Sequence, residues 1–564
     1  MKVVIIGGVA GGASAAARLR RLSENAEIKV FERSKHMSYA NCGLPYFIAD
    51  VIKEEKMLYV QTPEAFKQRF NVDVFVRHEV TKILPEKKQV EVKNLETGEV
   101  FYEDYDKLII STGAKPMKPA IEGINSEKVM TLRTVEDAVK IKSFVDENKP
   151  QSVIIAGGGF IGVELAEGLI ERGLKVKIVQ RPKQLLKTLD PDMAAYVHAE
   201  FRHHGAELLL GKEVLGFEEK ENSIVCKLKD GESVEGDFAI FALGVSPDTG
   251  LALEAGLKMG VKRTVAVDSK MRTSIEDIYA VGDCVEVLNP ISGKMVNIAL
   301  AGPANKQGRI AADNICDIES EYRGSMGSSI AKVFRLAAAS TGLNSATASD
   351  LGLDFYSIVL SPLSSSSYYP GFSNLQMKLL VERGTERILG AQVIGEKGAD
   401  KRLDVIATAM LAGLKGSELK ELELCYAPPF SSAKDPCNMA GFMIENIEKG
   451  LVDVIDFEGL KEIEGSKEHF LLDVRTEKEY KKAHVEGFVN IPVDELRERL
   501  NELPRDKKII VMCHGGLRSY IACRILKQRG FSPINFSGGF SHYRAVSDDA
   551  CSRGEVTLPC GMPQ

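Results

Sequence analysis

The residue with the clearest capacity for chemistry is Cys42, which lies about ten residues after the acidic Glu32. The next cysteine along the chain is Cys226, so Cys42 has no thiol partner in its own segment, 38–46. A helix beginning near Pro45 would direct its positive end at the sulfur and lower the pKa of Cys42, which favours the reactive thiolate. The sequence therefore predicts a single redox-active thiol that exchanges sulfur with a bound partner.

A second cysteine, Cys513, opens the sequence CHGGLRS at 513–519, between a strand-like run at 509–512 and a helical pattern. Successive backbone N–H groups in such a loop, at a helix N-terminus, stabilise an anion at the centre of the loop. This arrangement predicts a site for a thiolate or a persulfide on Cys513.

Glycine-rich turns between a strand and a helix occur at two places, separated by about 150 residues. The second, GGGFIG at 157–162, is a complete G-x-G-x-x-G sequence, whose glycines let a pyrophosphate approach a helix N-terminus. The first, GGVAGG at 7–12, has Val9 where the second glycine would stand. Glu32 follows Gly12 by about twenty residues, where a carboxylate accepts hydrogen bonds from a ribose diol.

The second turn differs from the first in how its βαβ unit ends. The sequence there is VQR at 179–181, without an acid. Two interpretations of Arg181 remain open: it indicates tolerance of a 2′-phosphate, or it is an ordinary solvent-exposed arginine.

These motifs define an α/β chain of several domains. Two nucleotide domains are expected, one interrupted by the other, followed by an α+β segment with strand-like runs such as 330–335 and a helix at 399–411 that Gly413 ends. A charged, irregular boundary is expected around 446–465, and the tail after Ala550 is expected to be loosely ordered. The predicted domains are 1–150 with 271–322 (first nucleotide domain), 151–270 (second nucleotide domain), 323–447 (α+β domain) and 463–550 (last α/β domain).

Composition excludes several classes of protein. The 564 residues carry a net charge of -6, and the one local basic cluster, Arg18, Arg20 and Arg21, is either a solvated face or an anion site. A nucleic-acid partner is therefore not expected. We expect no membrane span, because no apolar run approaches about 18 residues, and no signal peptide or metal site. Ten scattered cysteines then indicate reduced thiols and a cytoplasmic protein.

Several short sequences resemble the flavoprotein disulfide reductases with two dinucleotide domains, over about residues 1 to 445. They are the paired nucleotide units, STGA at 111–114, ALGVSP at 242–247 and YAVGD at 279–283. Within that family, the segment 38–46, YYPG at 368–371 and YAPPF at 426–430 are similar to the coenzyme A-disulfide reductase branch. That branch includes rhodanese fusions described as CoA-disulfide reductases or as NAD(P)H-dependent persulfide and polysulfide reductases.

The end of the chain resembles a single-domain rhodanese, a sulfurtransferase. The residues that carry this resemblance are the CHGGLRS loop, LDVR at 472–475 and AHVEG at 483–487. The resemblance implies that Cys513 carries sulfur and that Arg518 contacts an anion. His514 and Gly516 depart from commoner loop sequences, which leaves the sulfur acceptor open.

The resemblance implies a fold with two Rossmann-like dinucleotide-binding domains, an α+β dimerisation domain and a C-terminal rhodanese α/β domain. It implies FAD on the first turn and NAD(P)H on the second, with Glu32 at the adenosine ribose, Asp283 at the ribityl chain and Phe160 over the flavin until nicotinamide displaces it. The implied cofactor contacts are Gly7, Gly8, Gly12, Glu32, Arg33, Thr112, Gly113, Gly157, Gly159, Phe160, Gly162, Gly244, Gly282 and Asp283.

Coenzyme A is the further ligand that the resemblance implies, and phosphate binding suits guanidinium groups. Its implied contacts are Ser14, Arg18, Arg21, Ser38, Asn41 and Lys434. Tyr426 and Tyr368 resemble residues that polarise the substrate sulfur from the neighbouring subunit, which implies a homodimer. Tyr369 adjoins Tyr368, so the register of this pair stays open.

The function that follows is FAD-dependent reduction, by NAD(P)H, of a CoA-linked persulfide, a polysulfide or CoA disulfide, with sulfur supplied by the rhodanese domain. One alternative is an NADH oxidase or peroxidase that stabilises a sulfenate on Cys42. Another is a non-enzymatic sulfur carrier that binds CoA and a partner through Cys513. The physiological sulfur compound, the choice between NADH and NADPH, and direct transfer from Cys513 to Cys42 stay open.

Overall fold

The computed structural model describes residues 1–554. Their contacts divide the chain into two compact units. The first unit comprises 1–181 and 212–327, and the second comprises 182–211 and the chain from 328 onward.

The helices are distributed over the whole described chain. In chain order they are α1 (Ala10–Leu22), α2 (Leu44–Ile48), α3 (Pro63–Phe70), α4 (Val135–Asn148), α5 (Phe160–Glu171), α6 (Pro191–His203), α7 (Gly250–Glu254), α8 (Ala301–Ile315), α9 (Ser345–Asp350), α10 (Ala399–Ala412), α11 (Pro436–Glu448), α12 (Phe457–Glu462), α13 (Glu477–Lys482), α14 (Leu517–Gln528) and α15 (Gly539–Ser552). Short 3-10 helices lie at Asn41–Gly43, Glu55–Leu58, Pro85–Lys87, Val261–Arg263, Gly282–Cys284, Gly416–Glu421 and Leu500–Glu502.

The strands alternate with these helices. In chain order they are β1 (Lys2–Ile6), β2 (Glu27–Glu32), β3 (Asp73–Val76), β4 (His78–Leu84), β5 (Gln89–Asn94), β6 (Val100–Asp104), β7 (Lys107–Ile110), β8 (Ala114–Pro116), β9 (Val129–Thr131), β10 (Ser152–Ala156), β11 (Lys175–Gln180), β12 (Glu207–Leu210), β13 (Val214–Glu219), β14 (Ile224–Leu228), β15 (Ser233–Gly236), β16 (Phe238–Phe241), β17 (Val245–Pro247), β18 (Ile278–Ala280), β19 (Val287–Asn289), β20 (Lys294–Val296), β21 (Ser329–Val333), β22 (Leu336–Gly342), β23 (Phe355–Leu360), β24 (Leu375–Glu382), β25 (Ile388–Gly395), β26 (Asp453–Ile455), β27 (His469–Asp473), β28 (Val489–Asn490), β29 (Lys508–Met512) and β30 (Ser532–Phe536).

The first unit contains two parallel sheets and four smaller antiparallel ones, β4-β5-β6, β13-β14-β15, β17-β8 and β19-β20. One parallel sheet has the strand order β18-β7-β1-β2-β3, and in the other β11, β10, β16 and β9 lie side by side. Their central strands, β1 and β10, are rich in valine and isoleucine and almost completely buried, as strands covered on both faces require. In each sheet a helix follows the central strand through a glycine turn. The predicted pair of Rossmann-like domains is confirmed.

The second unit contains two further sheets. One is antiparallel with the order β21-β22-β25-β24-β23, and helix α10 lies against β22 and β25. Gly413, with φ +74°, ends that helix as the sequence predicts. The other sheet is parallel with the order β26-β30-β29-β27-β28. The α+β and α/β classes expected for these parts of the chain are confirmed.

Two local predictions are wrong, and a third is right except at its end. The strand expected at 330–335 is β21 (Ser329–Val333), which ends two residues earlier than predicted because Phe334 has φ +53° and reverses the chain between β21 and β22. The stretch 446–465 is not irregular, since it contains β26, which pairs with β30, and helix α12. The chain beyond Ala550 continues helix α15 to Ser552. The rest of the predicted tail, 555–564, lies outside the described residues.

The grouping of 182–211 differs from the domain that the sequence suggests. That segment carries α6 and β12 and lies within the predicted range 151–270, yet its contacts group it with the second unit. No helix within 1–554 combines the length and the apolar character needed to cross a membrane. No cluster of three potential metal ligands occurs in the same residues.

Candidate active site

Cys42 lies in the 3-10 helix Asn41–Gly43, directly before α2. The residue is exposed, but the surrounding atoms bury its sulfur enough to raise the pKa of the thiol, and the carboxylates of Glu164 and Asp283 raise it further. Arg133 acts in the opposite direction. The pKa of Cys42 is therefore raised, not lowered as the sequence predicts. Helix α2 has only five residues, and partial burial together with two carboxylates outweighs its positive end.

Glu164 is a residue of this site that the sequence did not single out. It lies on α5, and its Oε1 is 3.4 Å from the hydroxyl of Tyr46 on α2. Burial raises the pKa of Glu164 to about 7, and Glu167 contributes in the same direction. Two carboxylates three residues apart, Glu164 and Glu167, within the mostly apolar helix sequence FIGVELAEGLIE were the available signal.

Substitution of Glu164 by glutamine is expected to stabilise the protein at alkaline pH. Because the folded-state pKa of Glu164 lies above that of an exposed glutamate, the folded protein binds the extra proton between the two values, and its stability falls as the pH rises to about 7. Urea unfolding should show a gain of about 2 kcal/mol at about pH 8 and little change near pH 4. Glu171→Gln, at the exposed end of the same helix, is the control. An equal gain for Glu164→Gln at both pH values would contradict this explanation.

The first glycine turn fits a bound dinucleotide. A Cβ on Gly12 would lie 1.9 Å from the carbonyl oxygen of Gly7, so no larger residue fits between the helix and the strand. Helix α1 has no side-chain cap, which leaves the N–H groups of its first turn available to a pyrophosphate. The buried carboxylate of Glu32 accepts hydrogen bonds of 2.8 Å from the N–H groups of Gly8 and Ser34. These bonds orient it at the end of β2.

The second turn repeats this arrangement with one change. A Cβ on Gly162 would lie 2.0 Å from the carbonyl oxygen of Gly157, and Gly159 faces open space. The side-chain oxygen of Gln180 accepts a 3.0 Å hydrogen bond from the N–H of Gly158. Gln180 thus takes the position that Glu32 takes in the first turn, as a neutral amide in place of an acid. Phe160 is half-buried at the start of α5.

Replacement of Gly162 by alanine should impair nicotinamide nucleotide binding, because a methyl group there forces α5 away from its strand. We expect the apparent Kd for NADH, measured by fluorescence titration, to rise about tenfold or more. Gly250→Ala is the matched control, since a Cβ at that position meets no atom within 4 Å. Unchanged NADH affinity in Gly162→Ala would contradict the assignment of this turn.

Several of the other predicted cofactor residues are bound to protein groups. Arg33 pairs with Asp248 at 2.9 Å, and the hydroxyl of Thr112 donates to the carbonyl oxygen of the same residue at 2.6 Å. Asp283 pairs with Arg133 at 3.1 Å. The predicted glycines that adopt positive φ are Gly7, Gly113, Gly157, Gly244 and Gly282.

A pocket of about 340 Å³ in the first unit collects three of the predicted CoA residues, Ser14, Arg21 and Ser38. The sequence missed Asn305 and Arg309, which lie four residues apart on α8 and line the same pocket. Its other lining residues are Ala13, Ala17, Gln61, Phe66 and Phe70. Two guanidinium groups at one pocket suit a phosphate-bearing ligand.

The remaining predicted CoA residues are not at this pocket. Arg18 donates to Asp313 at 2.6 Å, so its guanidinium is engaged on α8. Arg20, the third member of the basic cluster, is buried and donates to backbone carbonyls such as that of Ala26. Asn41 has a buried Oδ1 without a partner among the described residues, and Lys434 is exposed in the second unit. The basic cluster is thus neither wholly a solvated face nor wholly an anion site.

Tyr368 and Tyr426 form a pair in the second unit. Their hydroxyl oxygens are 3.0 Å apart, and both side chains are exposed. Their mutual hydrogen bond lowers the pKa of Tyr368 and raises that of Tyr426. One hydroxyl of the pair thus donates to the other, and the proton of the accepting hydroxyl stays available at the surface of this unit.

The loop after β29 surrounds the sulfur of Cys513, which is buried. Its Sγ accepts hydrogen bonds from the N–H of Gly516 at 3.0 Å and from the hydroxyl of Ser519 at 3.3 Å. Arg518 does not contact the sulfur but donates two hydrogen bonds of 2.7 Å to Glu479 on α13, which lowers the pKa of Glu479 to about 2. One N–H group and one hydroxyl of this loop therefore point at the sulfur, and Arg518 is oriented by an acid beside the loop.

Two parallel sheets, each with a glycine turn open to a nucleotide, and an accessible thiol in the same unit are the arrangement of a redox enzyme with two dinucleotide cofactors. The Pyridine nucleotide-disulphide oxidoreductase family matches residues 1–308, and its dimerisation domain matches 328–436. A rhodanese-like domain matches 456–545.

Known proteins agree with these matches. The coenzyme A disulfide reductase of Staphylococcus aureus strain JH9 is 34% identical over 442 residues, which are 78% of this chain and 99% of that protein. The structure of reduced Bacillus anthracis CoADR-RHD has a TM-score of 0.95 and 45% identity, covering 97% of this chain and 98% of that chain. The NAD-dependent persulfide reductase from A. fulgidus has a TM-score of 0.90 and 37% identity, covering 96% and 100%.

This chain belongs to the pyridine nucleotide-disulphide oxidoreductase family. It is an oxidoreductase of the class that uses FAD and NAD(P)H, with a rhodanese-like domain at its C-terminal end. The resemblance drawn from the sequence is therefore confirmed.

Proposed function

We propose that the protein uses NAD(P)H to reduce disulfides or persulfides of coenzyme A at Cys42. The observation that carries this proposal is the accessible, unpaired thiol four residues after Ser38, at a segment that also lines the pocket of Arg21 and Arg309. The pocket suits the phosphates of coenzyme A. Its lining residue Ser38 is four residues before Cys42, which suits a bound coenzyme A whose thiol reaches that cysteine. The names of the S. aureus and A. fulgidus relatives support the same substrates.

The cofactors fit the residues that would hold them. The open first turn of α1 and the oriented carboxylate of Glu32 suit FAD, and the turn before α5 suits NAD(P)H. When bound, FAD supplies the two-electron transfer between the nicotinamide and the sulfur. Gln180 carries no negative charge that would repel a 2′-phosphate, which supports use of NADPH as well as NADH.

Cys42 cleaves the sulfur–sulfur bond of the substrate in two stages. Its thiolate attacks a sulfur of CoA–S–S–R, so that a Cys42–sulfur bond forms to CoA and the leaving R–S⁻ takes a proton. Cleavage of the new bond then requires two electrons from NAD(P)H and one proton, and it returns Cys42 to the thiolate and CoA to the thiol. With a CoA persulfide, R is hydrogen and the first product is hydrogen sulfide.

The proton for the leaving sulfur comes from the pair Tyr368 and Tyr426, which we assign to the neighbouring subunit of a homodimer. A dimerisation domain and the exposure of both hydroxyls support this assignment.

Tyr426→Phe should lower kcat for CoA disulfide about tenfold to a hundredfold, because a phenol supplies general acid catalysis of that size. Tyr368→Phe should have a smaller effect and Tyr369→Phe, the adjacent control, almost none. Equal losses in all three variants would exclude a specific proton donor, and a monomer in light scattering would exclude the shared site.

The rhodanese-like domain supplies sulfane sulfur on Cys513, held by the N–H groups of its loop. All nine cysteines among residues 1–554 are unpaired, which supports a reducing, cytoplasmic setting for these reactions.

The proposal is tested by anaerobic NADH and NADPH oxidation with CoA disulfide, CoA persulfide and inorganic polysulfide. Thiol or sulfide release that matches nucleotide oxidation is expected. Nucleotide oxidation that requires oxygen and releases no thiol would identify an oxidase instead.

A further inference from the structure

The carbonyl groups of the Cys513 loop are held by the first turn of α15. The N–H of Phe540 donates to the carbonyl oxygen of Cys513 at 2.7 Å, and Ser541 donates to that of His514 from its N–H at 3.1 Å and its hydroxyl at 3.0 Å. In a planar trans peptide the carbonyl and the next N–H point in opposite directions. Fixing these two carbonyls therefore directs the N–H groups of His514 and Gly515 away from α15, as an anion cradle requires.

Two glycines transmit this contact to a buried histidine. Gly538 and Gly539 both adopt positive φ, +85° and +65°. A Cβ on Gly539 would lie 2.6 Å from the carbonyl oxygen of Cys513, and a Cβ on Gly538 would lie 2.7 Å from the Cβ of His542. The turn is thus packed between the sulfur-binding loop on one side and His542 on the other.

His542 is completely buried and is bound to helix α6. Its Nδ1 is 3.1 Å from the hydroxyl of Tyr196, and its Nε2 is 3.3 Å from a carboxylate oxygen of Asp192. These two residues are four apart and so lie on one face of α6. The imidazole has both ring nitrogens occupied, which fixes the ring in one orientation.

Asp192 is itself held by a buried ion cluster. Lys378 on β24 lies 2.8 Å from Asp192 and 2.9 Å from Asp190, and Asp190 accepts a 2.6 Å hydrogen bond from the hydroxyl of Ser345. Burial alone would raise the pKa of Asp192, but Lys378 and His542 hold it well below its ordinary range. Breaking one member of such a cluster leaves a buried charge without a partner. His542 is therefore bound to a rigid support.

We propose that His542 is a positioning residue for the sulfur-carrier loop: bound by Asp192 and Tyr196, it fixes the Gly538–Gly539 turn and, through that turn, the direction of the N–H groups of His514 and Gly515 in the loop that follows Cys513. This inference rests on the proposed role of Cys513 as a sulfur carrier. Segment 182–211 interrupts the second nucleotide domain in the sequence. Through Asp192 and Tyr196 on α6, this segment supports sulfur transfer.

The chain provides a matched control in His198. It is also completely buried, lies on α6 and contacts α15, where its Nδ1 is 3.0 Å from the carboxylate of Asp549. Asp549 follows Gly539 by ten residues on α15, which is about 15 Å along the helix. His198 thus supports the same helix pair as His542 without contact with the glycine turn.

The test uses the full-length holoenzyme with His542→Gln, Tyr196→Phe and His198→Gln. Sulfur transfer is measured from thiosulfate to cyanide: Cys513 takes the outer sulfur and releases sulfite, and cyanide then takes that sulfur as thiocyanate. We expect kcat per folded molecule to fall about tenfold or more in His542→Gln, less in Tyr196→Phe, and to stay unchanged in His198→Gln, since small displacements of a preorganised site have large kinetic costs. Hydrogen exchange at the amides of Phe540 and Ser541 should accelerate in His542→Gln and, to a smaller degree, in Tyr196→Phe, but not in His198→Gln.

NADH-dependent reduction of CoA disulfide at Cys42 should be unaffected in all three variants. Wild-type sulfur transfer and unchanged amide exchange in His542→Gln would overturn the inference, as would an equal loss of kcat in His198→Gln. If His542→Gln does not fold, Tyr196→Phe decides by the same two measurements. If the wild-type protein transfers no sulfur from thiosulfate, the carrier role of Cys513 fails, while amide exchange still decides whether His542 positions the loop.

Discussion

Replacement of Cys42 by serine is expected to abolish reduction of CoA disulfide and CoA persulfide by NADH, with a loss of about a thousandfold or more in kcat. A serine hydroxyl cannot form the sulfur–sulfur bond with the substrate, and no second cysteine lies in the segment 38–46 to replace it. The measurement is anaerobic NADH oxidation with each substrate in excess, and flavin content is determined for every preparation.

Cys316→Ser is the control for Cys42→Ser, because Cys316 is a partly exposed, unpaired thiol of the same unit. It should keep activity within about twofold of the wild type, as surface substitutions away from a site do. Full activity of Cys42→Ser would refute the mechanism, whereas loss of flavin in that variant would show that the residue supports cofactor binding.

Replacement of Cys513 by serine should separate the two activities of the chain. Sulfur transfer from thiosulfate should fall about a thousandfold or more, because the thiolate is the nucleophile that receives the sulfur. Reduction of CoA disulfide should remain within about twofold of the wild type, since that substrate reaches Cys42 from solution. Thiocyanate formation and NADH oxidation, measured on the same preparation, give both quantities.

Cys551→Ser provides the comparison for Cys513→Ser, because Cys551 is a half-buried thiol near the end of α15, in the same part of the chain. It should leave both activities intact. A Cys513→Ser protein that also fails to reduce CoA disulfide would show that the sulfur of Cys513 is required at every turnover. The proposal that Cys42 and Cys513 carry out separate activities would then be wrong.

Features fixed by short-range geometry were predictable from the sequence. Gly12 and Gly162 are required because any side chain there would collide with the carbonyl of a glycine five residues earlier, a constraint that the local sequence expresses in full. The Cys513 loop is equally local, since Gly516 and Ser519 reach the sulfur from within three to six residues. The glycine turns and the Cys513 loop could therefore be predicted without knowledge of the tertiary fold.

Features set by distant residues were not predictable. Arg18 and Arg21 lie on one helix, and only Asp313 on α8 decides that Arg18 is engaged while Arg21 lines the pocket. The pKa of Cys42 depends on Glu164 and Asp283, which are more than a hundred residues away in the sequence. A helix end near Pro45 was visible in the sequence, but the carboxylates that oppose it were not.

The buried contact between α6 and α15 also bears on how such a chain can change through evolution. The S. aureus relative corresponds to 442 residues of this chain, so its length accounts for the part before the rhodanese-like domain. A stop mutation that removed that domain here would take away the partners that Asp192, Tyr196 and His198 have on α15, and would expose side chains of α6 that the intact chain buries. The stability of α6 in this chain is thus tied to the presence of the rhodanese-like domain, whether or not that domain transfers sulfur.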